Sequence, residues 1–303
     1  VTKFETLNML YTKKVLGLIG YQIGYSLSPL MHNVAAESLG LPYIYTLFEI
    51  HPPENLGAAL EGAKILGLAG LNVTIPYKER VVACLDALSA EAAEIQAVNT
   101  VLNQEGQLIG YNTDIYGFAE PLLPFKSNVD GNEVVVFGAG GAARAVVQAL
   151  RQYFKPAHIH LVARDESKAE VLKETFKRRS KSLNISTHLF DDEDLESLLA
   201  RARLIVNATP IGTEAVSTVS KPANLFPVEW KVWSPDTIAY DLVYRPMLTP
   251  FLQAAQQAGA KIISGFEMLI AQGAKSFEIW TGKAMPRHTV RESLLQALQQ
   301  KQK

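Results

Sequence analysis

The sequence predicts an α/β protein of two α/β domains, and three observations carry that expectation. Apolar runs rich in β-branched residues, Val15-Leu16-Gly17-Leu18-Ile19 and Val134-Val135-Val136-Phe137, are continuous rather than alternating, the pattern of strands buried on both faces of a parallel sheet. Strand-like and helix-like segments alternate along the chain, and 303 residues make about two domains at roughly 150 residues each. The third observation is a glycine-rich turn, Gly138 to Gly141, set between a strand and an alanine-rich helix.

Taken in order, residues 15–20 read as the first strand. Ser28-Pro29 then opens a helix that stops at Gly40, with Ser as N-cap and Pro at the first helical position. Strands at 43–49 and 70–74, with a helix at 55–66 between them, complete a β-α-β-α-β start. A second series begins with the strand 134–137, the glycine turn and a helix at 142–150. Further strands at 159–162, 204–207 and 237–241 alternate with helices near 168–178, 192–200 and 250–258. Right-handed crossovers wind such a series into a doubly wound sheet. Residues 265–303 hold two helical patterns and no strand, so they cannot extend that sheet and are expected to fold back onto the N-terminal domain. The expected division is a discontinuous domain, 1–114 plus 265–303, with a second domain, 115–264, inserted in it. The glutamine-rich end, 294–303, reads as a solvated helix end.

Composition narrows the function classes. A hydrophobic fraction of 48% with 19% charged residues is that of a globular chain. Lys and Arg number 29 against 30 Asp and Glu, a net charge of -1, so no global positive field exists to hold nucleic acid or an anionic membrane. A small-molecule substrate is the expected partner. The single cysteine, Cys84, cannot form an intrachain disulfide, and the six histidines show no metal-binding spacing, which points to a reducing compartment and no structural metal. His158 and His160 share one face of a strand and read as structural. Near the N-terminus charged residues such as Lys3 and Glu5 interrupt the apolar ones, and the run 15–20 is too short for a membrane span or a signal-peptide core, so the expected location is the cytosol.

The turn reads G-x-G-x-x-A. A pyrophosphate needs backbone N–H groups at a helix start and no side chain in the way, which Gly138, Ala139, Gly140, Gly141 and Ala142 provide. Ala143 stands where the third glycine packs helix on strand. The inserted domain is therefore expected to be a Rossmann-like doubly wound dinucleotide-binding domain. Its second strand ends at Ala163-Arg164-Asp165, where the adenine ribose would lie. Arg164 and, three residues beyond Asp165, Lys168 favour the 2′-phosphate of NADP, whereas Asp165 favours the free 2′-hydroxyl of NAD.

Polar clusters mark the other domain. Ser26 and Ser28 offer two hydroxyls to an anion, unless Ser28 merely caps its helix. Asn72, Thr74 and Lys78 follow a strand at its carboxyl end, where ligands of open α/β sheets bind. Asn99-Thr100 and Asn112-Thr113-Asp114 bracket further strand segments.

The stretches 26–33 (Ser-Leu-Ser-Pro-Leu-Met-His-Asn), 72–78 (Asn-Val-Thr-Ile-Pro-Tyr-Lys), 97–100, 110–114, 138–145, 207–210, 240–244 and 265–273 together resemble the shikimate and quinate dehydrogenase family, in family order over nearly the whole chain. That resemblance implies reversible reduction of 3-dehydroshikimate to shikimate by NADPH, with a discontinuous substrate domain and a dinucleotide domain, in a monomer or homodimer. It implies that Ser26 and Ser28 bind the substrate carboxylate, with Tyr244 near the same end. Asn72, Thr74, Asn99 and Gln272 match positions that contact the substrate, and Lys78 and Asp114 match the catalytic pair, which also binds it. Thr209, Leu242, Gly265 and Met268 fall on the cofactor side. Hydride arriving at a ketone leaves charge on oxygen, so a cationic donor such as Lys78 suits the reaction, with Asp114 orienting it. Tyr25 stands where family members commonly carry histidine, and Ala163 and Asp165 where they carry Asn and Thr. These departures keep open an NAD-preferring quinate and shikimate dehydrogenase as the alternative.

Overall fold

The computed structural model describes residues 13–178, 183–213 and 232–300. The charged N-terminal positions and the last three residues of the glutamine-rich end lie outside them. The chain divides into two compact units, one formed by residues up to Thr113 together with Gln272 onward, the other by Asp114–Ala271. The sequence placed these borders after residues 114 and 264. In the division by compact units Asp114 and residues 265–271 fall with the second unit, the later border lying inside the continuous helix Gly265–Thr281.

The first unit is built on a six-stranded sheet in the order β2-β1-β3-β5-β6-β4. Its strands are β1 Lys14–Gly20, β2 Tyr43–Glu49, β3 Gly70–Val73, β4 Ala87–Leu88, β5 Thr100–Gln104 and β6 Gln107–Tyr111. The apolar run of β1 occupies the interior, paired parallel to β2 and β3. The sequence anticipated those three strands but not the hairpin β5–β6, which adds antiparallel to β3. That reversal brings the start of β5 beside the end of β3, with Asn72 opposite Thr100. Helices Ser28–Ser38 and Leu56–Ile65 cover the sheet by the buried sides of amphipathic segments. The C-terminal helix, Arg287–Gln300, packs on Ser28–Ser38, and Leu294 and Leu298 are buried. Through Leu298, then, this end is a packed helix and not a solvated one.

The second unit holds six parallel strands in the order β12-β11-β10-β7-β8-β9. They are β7 Glu133–Phe137, β8 His158–Ala163, β9 Ile185–Leu189, β10 Leu204–Asn207, β11 Ile238–Asp241 and β12 Lys261–Ser264. Read from β9, the order is that of a dinucleotide-binding sheet, with its switch point between β7 and β10. Val134, Val135, Val136 and Phe137 are fully buried, as a central strand covered on both faces requires. The sequence missed β9 and β12. The first carries Ser186, Thr187 and His188 between its apolar ends, and the second has only Ile262 and Ile263 between Lys261 and Ser264, so neither shows the apolar run that marks the others. The helix expected at 168–178 starts earlier, at Glu166.

Candidate active site

In the first unit the polar residues gather at the carboxyl ends of β1 and β3. Ser26 Oγ lies 3.2 Å from Ser28 Oγ and accepts the Ser28 backbone N–H at 3.2 Å. Ser28 does not cap the helix. It is the first helical residue, Leu27 occupies the N-cap position, and no side chain there accepts a helix N–H. Near it, burial pushes the Tyr45 phenol well above its usual range, a rise that the neighbouring Ser28 hydroxyl opposes. Tyr45 Oη donates to Asn72 Oδ1 at 2.8 Å. The Asn72 amide nitrogen faces Asn99 O at 3.0 Å and Thr100 Oγ1 and Ser276 Oγ at 3.1 Å, so its hydrogens are spent inside the protein. Asn99 is equally enclosed. Its Oδ1 accepts the Thr113 N–H at 2.7 Å, and its Nδ2 lies 2.9 Å from Thr113 Oγ1 and 3.5 Å from Gln272 Oε1.

The loop after β3 is held by its backbone. Thr74 N–H donates to Ile19 O at 3.0 Å, and Tyr77 N–H to Thr74 O at 2.9 Å. Lys78 is half-buried, and its carbonyl accepts Val98 N–H at 2.8 Å, which ties the lysine to the segment carrying Asn99. Beneath this array His32 stacks on Tyr45, 4.5 Å between ring centroids, with Trp280 edge-on at 5.2 Å. Neither His32 nitrogen has a hydrogen-bond partner, and burial drives the imidazole down to about 3, opposed only in part by the Asn72 amide. His32 is a neutral wall of the network.

The second unit carries the glycine turn at its switch point. Gly138 has φ +113°, and a Cβ there would stand 3.0 Å from Ala208 O, so only glycine lets the turn after β7 pass the loop after β10. Ala143 is fully buried and packs the following helix, Gly141–Tyr153, on the sheet. Gly140 is that helix's N-cap, offers no side-chain acceptor, and has no atom within 4 Å of where a Cβ would stand. The first N–H groups are thus open to an anion, and a dinucleotide pyrophosphate fits the residues present. Ala139, Gly141 and Ala142 are half-buried around the same turn.

At the end of β8, Ala163 is buried and Arg164 exposed. Asp165 is the N-cap of helix Glu166–Lys177. Its Oδ1 accepts Lys168 N–H at 3.3 Å and Ser167 Oγ–H at 2.6 Å, and its Oδ2 lies 3.5 Å from Lys168 Nζ. The Ser167 and Lys168 bonds hold this carboxyl below its usual range, so it is charged at neutral pH and engaged locally.

After β10 and β11 a second network forms. Asn207 Oδ1 accepts Thr209 N–H at 3.0 Å and Thr209 Oγ1–H at 2.7 Å, while Asn207 Nδ2 donates to Ile211 O and to Asp241 Oδ1. Asp241 also accepts Val243 N–H at 2.9 Å and Thr249 Oγ1–H at 2.6 Å. Burial pushes its carboxyl up to about 7 despite those bonds. The Thr209 hydroxyl is therefore used within its own loop. Gly265 is required by the protein's own backbone, since a Cβ there would meet Leu242 O at 2.3 Å. Met268 is buried and Tyr244 half-buried in this unit. Asp114, 5% exposed, opens helix Asp114–Leu122, where a carboxylate is favoured by the helix dipole.

The structure thus gathers Asn72, Asn99 and Gln272 into one network, with the Ser26–Ser28 pair beside it and Thr74 and Lys78 on the adjoining loop. Asp114, Tyr244 and all the expected cofactor residues belong to the second unit. Sequence reasoning missed Tyr45, His32 and Ser276. Only Tyr45 carried a signal, as a buried tyrosine whose hydroxyl must find a partner. Among the described residues no group of three or more His, Cys, Asp or Glu is arranged to hold a metal ion, and no helix is long and apolar enough to cross a membrane.

Residues 18–101 match the family model of the shikimate dehydrogenase substrate binding domain, and 265–295 that of the shikimate 5'-dehydrogenase C-terminal domain. Residues 134–218 match a saccharopine dehydrogenase NADP binding domain. The chain is 48% identical over 292 residues to the NADP(+) shikimate dehydrogenase of Chlorobium phaeobacteroides, covering 96% of this chain and 99% of that one. It is 49% identical over 292 residues to the corresponding enzyme of Pelodictyon phaeoclathratiforme, covering 96% and 100%. The solved shikimate 5-dehydrogenase of Thermus thermophilus, in complex with NADP(H) and shikimate, is 38% identical with a TM-score of 0.76, over 94% of this chain and 99% of that one.

Proposed function

Because the chain belongs to the shikimate dehydrogenase family, we propose a role for each of its site residues in the reaction of that family, the reversible NADPH-dependent reduction of 3-dehydroshikimate to shikimate. The chain is an NADP-dependent oxidoreductase of chorismate and aromatic amino acid biosynthesis. The observation that carries the residue roles is the hydroxyl pair Ser26–Ser28, not used as a helix cap and set beside the network that joins Tyr45 and Asn72 to Asn99 and Gln272.

Ser26 and Ser28 take the substrate carboxylate, with Tyr244 at the same end. Thr74, Asn99 and Gln272 hold ring hydroxyls or the reacting oxygen, and Asn72 lines the same end and holds Asn99, Thr100 and Ser276 in place. When bound, the nicotinamide cofactor supplies or accepts the hydride. Lys78 stabilises the charge that develops on the substrate oxygen and gives it a proton. Asp114, the other member of the catalytic pair, binds a substrate hydroxyl. The turn from Gly138 to Ala142 receives the pyrophosphate, and Arg164 with Lys168 the 2′-phosphate. Asp165 does not oppose that phosphate strongly, because its carboxylate is drawn into the helix cap and onto Lys168. Leu242, Gly265 and Met268 shape the nicotinamide end. A monomeric or homodimeric state and a cytosolic location complete the reading.

The test is the initial rate of shikimate oxidation with NADP and with NAD in parallel, for the wild type and for Lys78→Ala. Turnover in the variant should fall by at least about 10²-fold with a modest change in KM. Near-normal turnover would remove Lys78 from the chemistry.

A further inference from the structure

We propose, on the reading that the turn after β7, Leu242 and Gly265 face the cofactor, that Asp241 is a positioning residue that sets the carboxyl edge of the second sheet for the dinucleotide. Strands β7, β10, β11 and β12 end in register, with Phe137 beside Asn207, Asn207 beside Asp241 and Asp241 beside Ser264. The last three of these residues repeat one device, in which a side-chain oxygen accepts the backbone N–H two residues on. Asn207 takes that of Thr209 at 3.0 Å, Asp241 that of Val243 at 2.9 Å, and Ser264 that of Phe266 at 3.3 Å. Each bond closes a turn around one middle residue, Ala208, Leu242 or Gly265.

Those middle residues press on their neighbours. A Cβ on Gly138, the residue after Phe137, would stand 3.0 Å from Ala208 O, and one on Gly265 would meet Leu242 O. The placement of two carbonyls thus decides how closely the four strand ends approach, at the edge where ligands of doubly wound sheets bind. Asp241 holds the row together. Besides the Val243 N–H, its Oδ1 accepts a hydrogen from Asn207 Nδ2 at 2.9 Å, which couples the turn after β10 to the turn after β11. The other Asn207 amide hydrogen goes to Ile211 O at 3.0 Å and draws the rest of that loop onto the same side chain. Asp241 Oδ2 accepts the Thr249 hydroxyl, which fixes the far end of the loop after β11 at the start of helix Pro250–Gln257. Asp241 and Asn207 are fully buried, so both act through the backbone they hold and not by touching a ligand. Removing the carboxylate leaves three donors without their acceptor and uncouples the turns at Ala208 and Leu242.

The experiment titrates NADPH into the full-length protein by its fluorescence and adds steady-state rates of shikimate oxidation. Asp241→Ala should weaken NADPH binding at least about tenfold, with the KM for shikimate at saturating NADP close to wild type. Asp241→Asn, which keeps an oxygen for Asn207 and Val243, should restore the affinity. Thr249→Val is the structural control: it loses the bond to Asp241 and the cap on Leu252 N–H but keeps the methyl that packs on Gly212. Its melting temperature should fall while its NADPH affinity holds. Gly140→Asp tests the cofactor reading itself, because the new Cβ meets no atom within 4 Å and the carboxylate sets a negative charge at the helix start, so NADPH binding should be lost. Should Asp241→Ala not fold, Asp241→Ser, whose hydroxyl is too short to serve both Asn207 and Thr249, carries the same expectation. Loss in Gly140→Asp with wild-type affinity in Asp241→Ala or Asp241→Ser overturns the proposal alone, and so does a failure of Asp241→Asn to restore binding. Wild-type affinity in Gly140→Asp overturns the cofactor reading and the proposal with it.

Discussion

Ser28 shows how a hydroxyl can be spared from capping a helix. A serine ahead of Pro29 is placed by propensity to cap a helix, yet the N-cap falls on Leu27 and the Ser28 hydroxyl lies against that of Ser26. Ser28→Ala should therefore raise the KM for shikimate about tenfold or more, the worth of a hydrogen bond to a charged group. Its melting temperature should scarcely move, because no helix N–H loses a partner. A large stability loss with unchanged KM would return Ser28 to a structural role. Tyr45 and Asn72 act one step behind it. Each buried polar atom of theirs has a partner on another strand or helix, and such atoms are costly to leave unpaired.

Elements decide what single residues mean. Asp165 belongs to a helix start, and Asp165→Asn, which can still cap, should leave both the melting temperature and the NADP preference close to wild type. Asp165→Ala should lower the melting temperature without gaining NADP affinity. A marked gain would show that the carboxylate repels the phosphate after all. Gly265 sits where the chain from β12 enters helix Gly265–Thr281, pressed against the backbone after β11. Gly265→Ala forces a backbone carbonyl to move and should destabilise the protein on the order of 1–3 kcal/mol, measurable by denaturant unfolding.

For the molecule as a whole, two buried groups give stability opposite slopes with pH. His32 stays neutral when folded down to about 3, whereas its ordinary value is 6.5, so the unfolded chain binds the proton first and stability is lost as pH falls below that value. Asp241 is raised from 3.8 to about 7, so the folded state keeps a proton that the unfolded chain has released, and stability is lost as pH rises between those values. Asp241→Asn keeps an oxygen for Asn207 and Val243 and presents its amide to the Thr249 hydroxyl. It should abolish the loss between about pH 4 and about pH 7 while sparing the acid limb. Denaturant midpoints across that range check this, and an unchanged slope would assign it elsewhere.

Much of this was legible in the order of residues. Continuous apolar runs announced β1, β7 and β10, because a strand covered on both faces needs no polar alternation, and the glycine motif announced the tight turn after β7, because only a backbone free of Cβ can pass there. The polar stretches were each legible too. Their assembly was not: Asn72 meets Thr100 only because β5 enters the sheet antiparallel, and that pairing depends on a hairpin without a strong local signal. For the same reason β9, whose polar centre hides it among loop residues, left His188 far from His160 in sequence and bonded to it in space. Local patterns determine which segments must be buried and which turns demand glycine. Which hydroxyl is spared a cap, which carboxylate becomes one and which imidazoles meet is decided by how distant segments pack together, which only the folded chain sets.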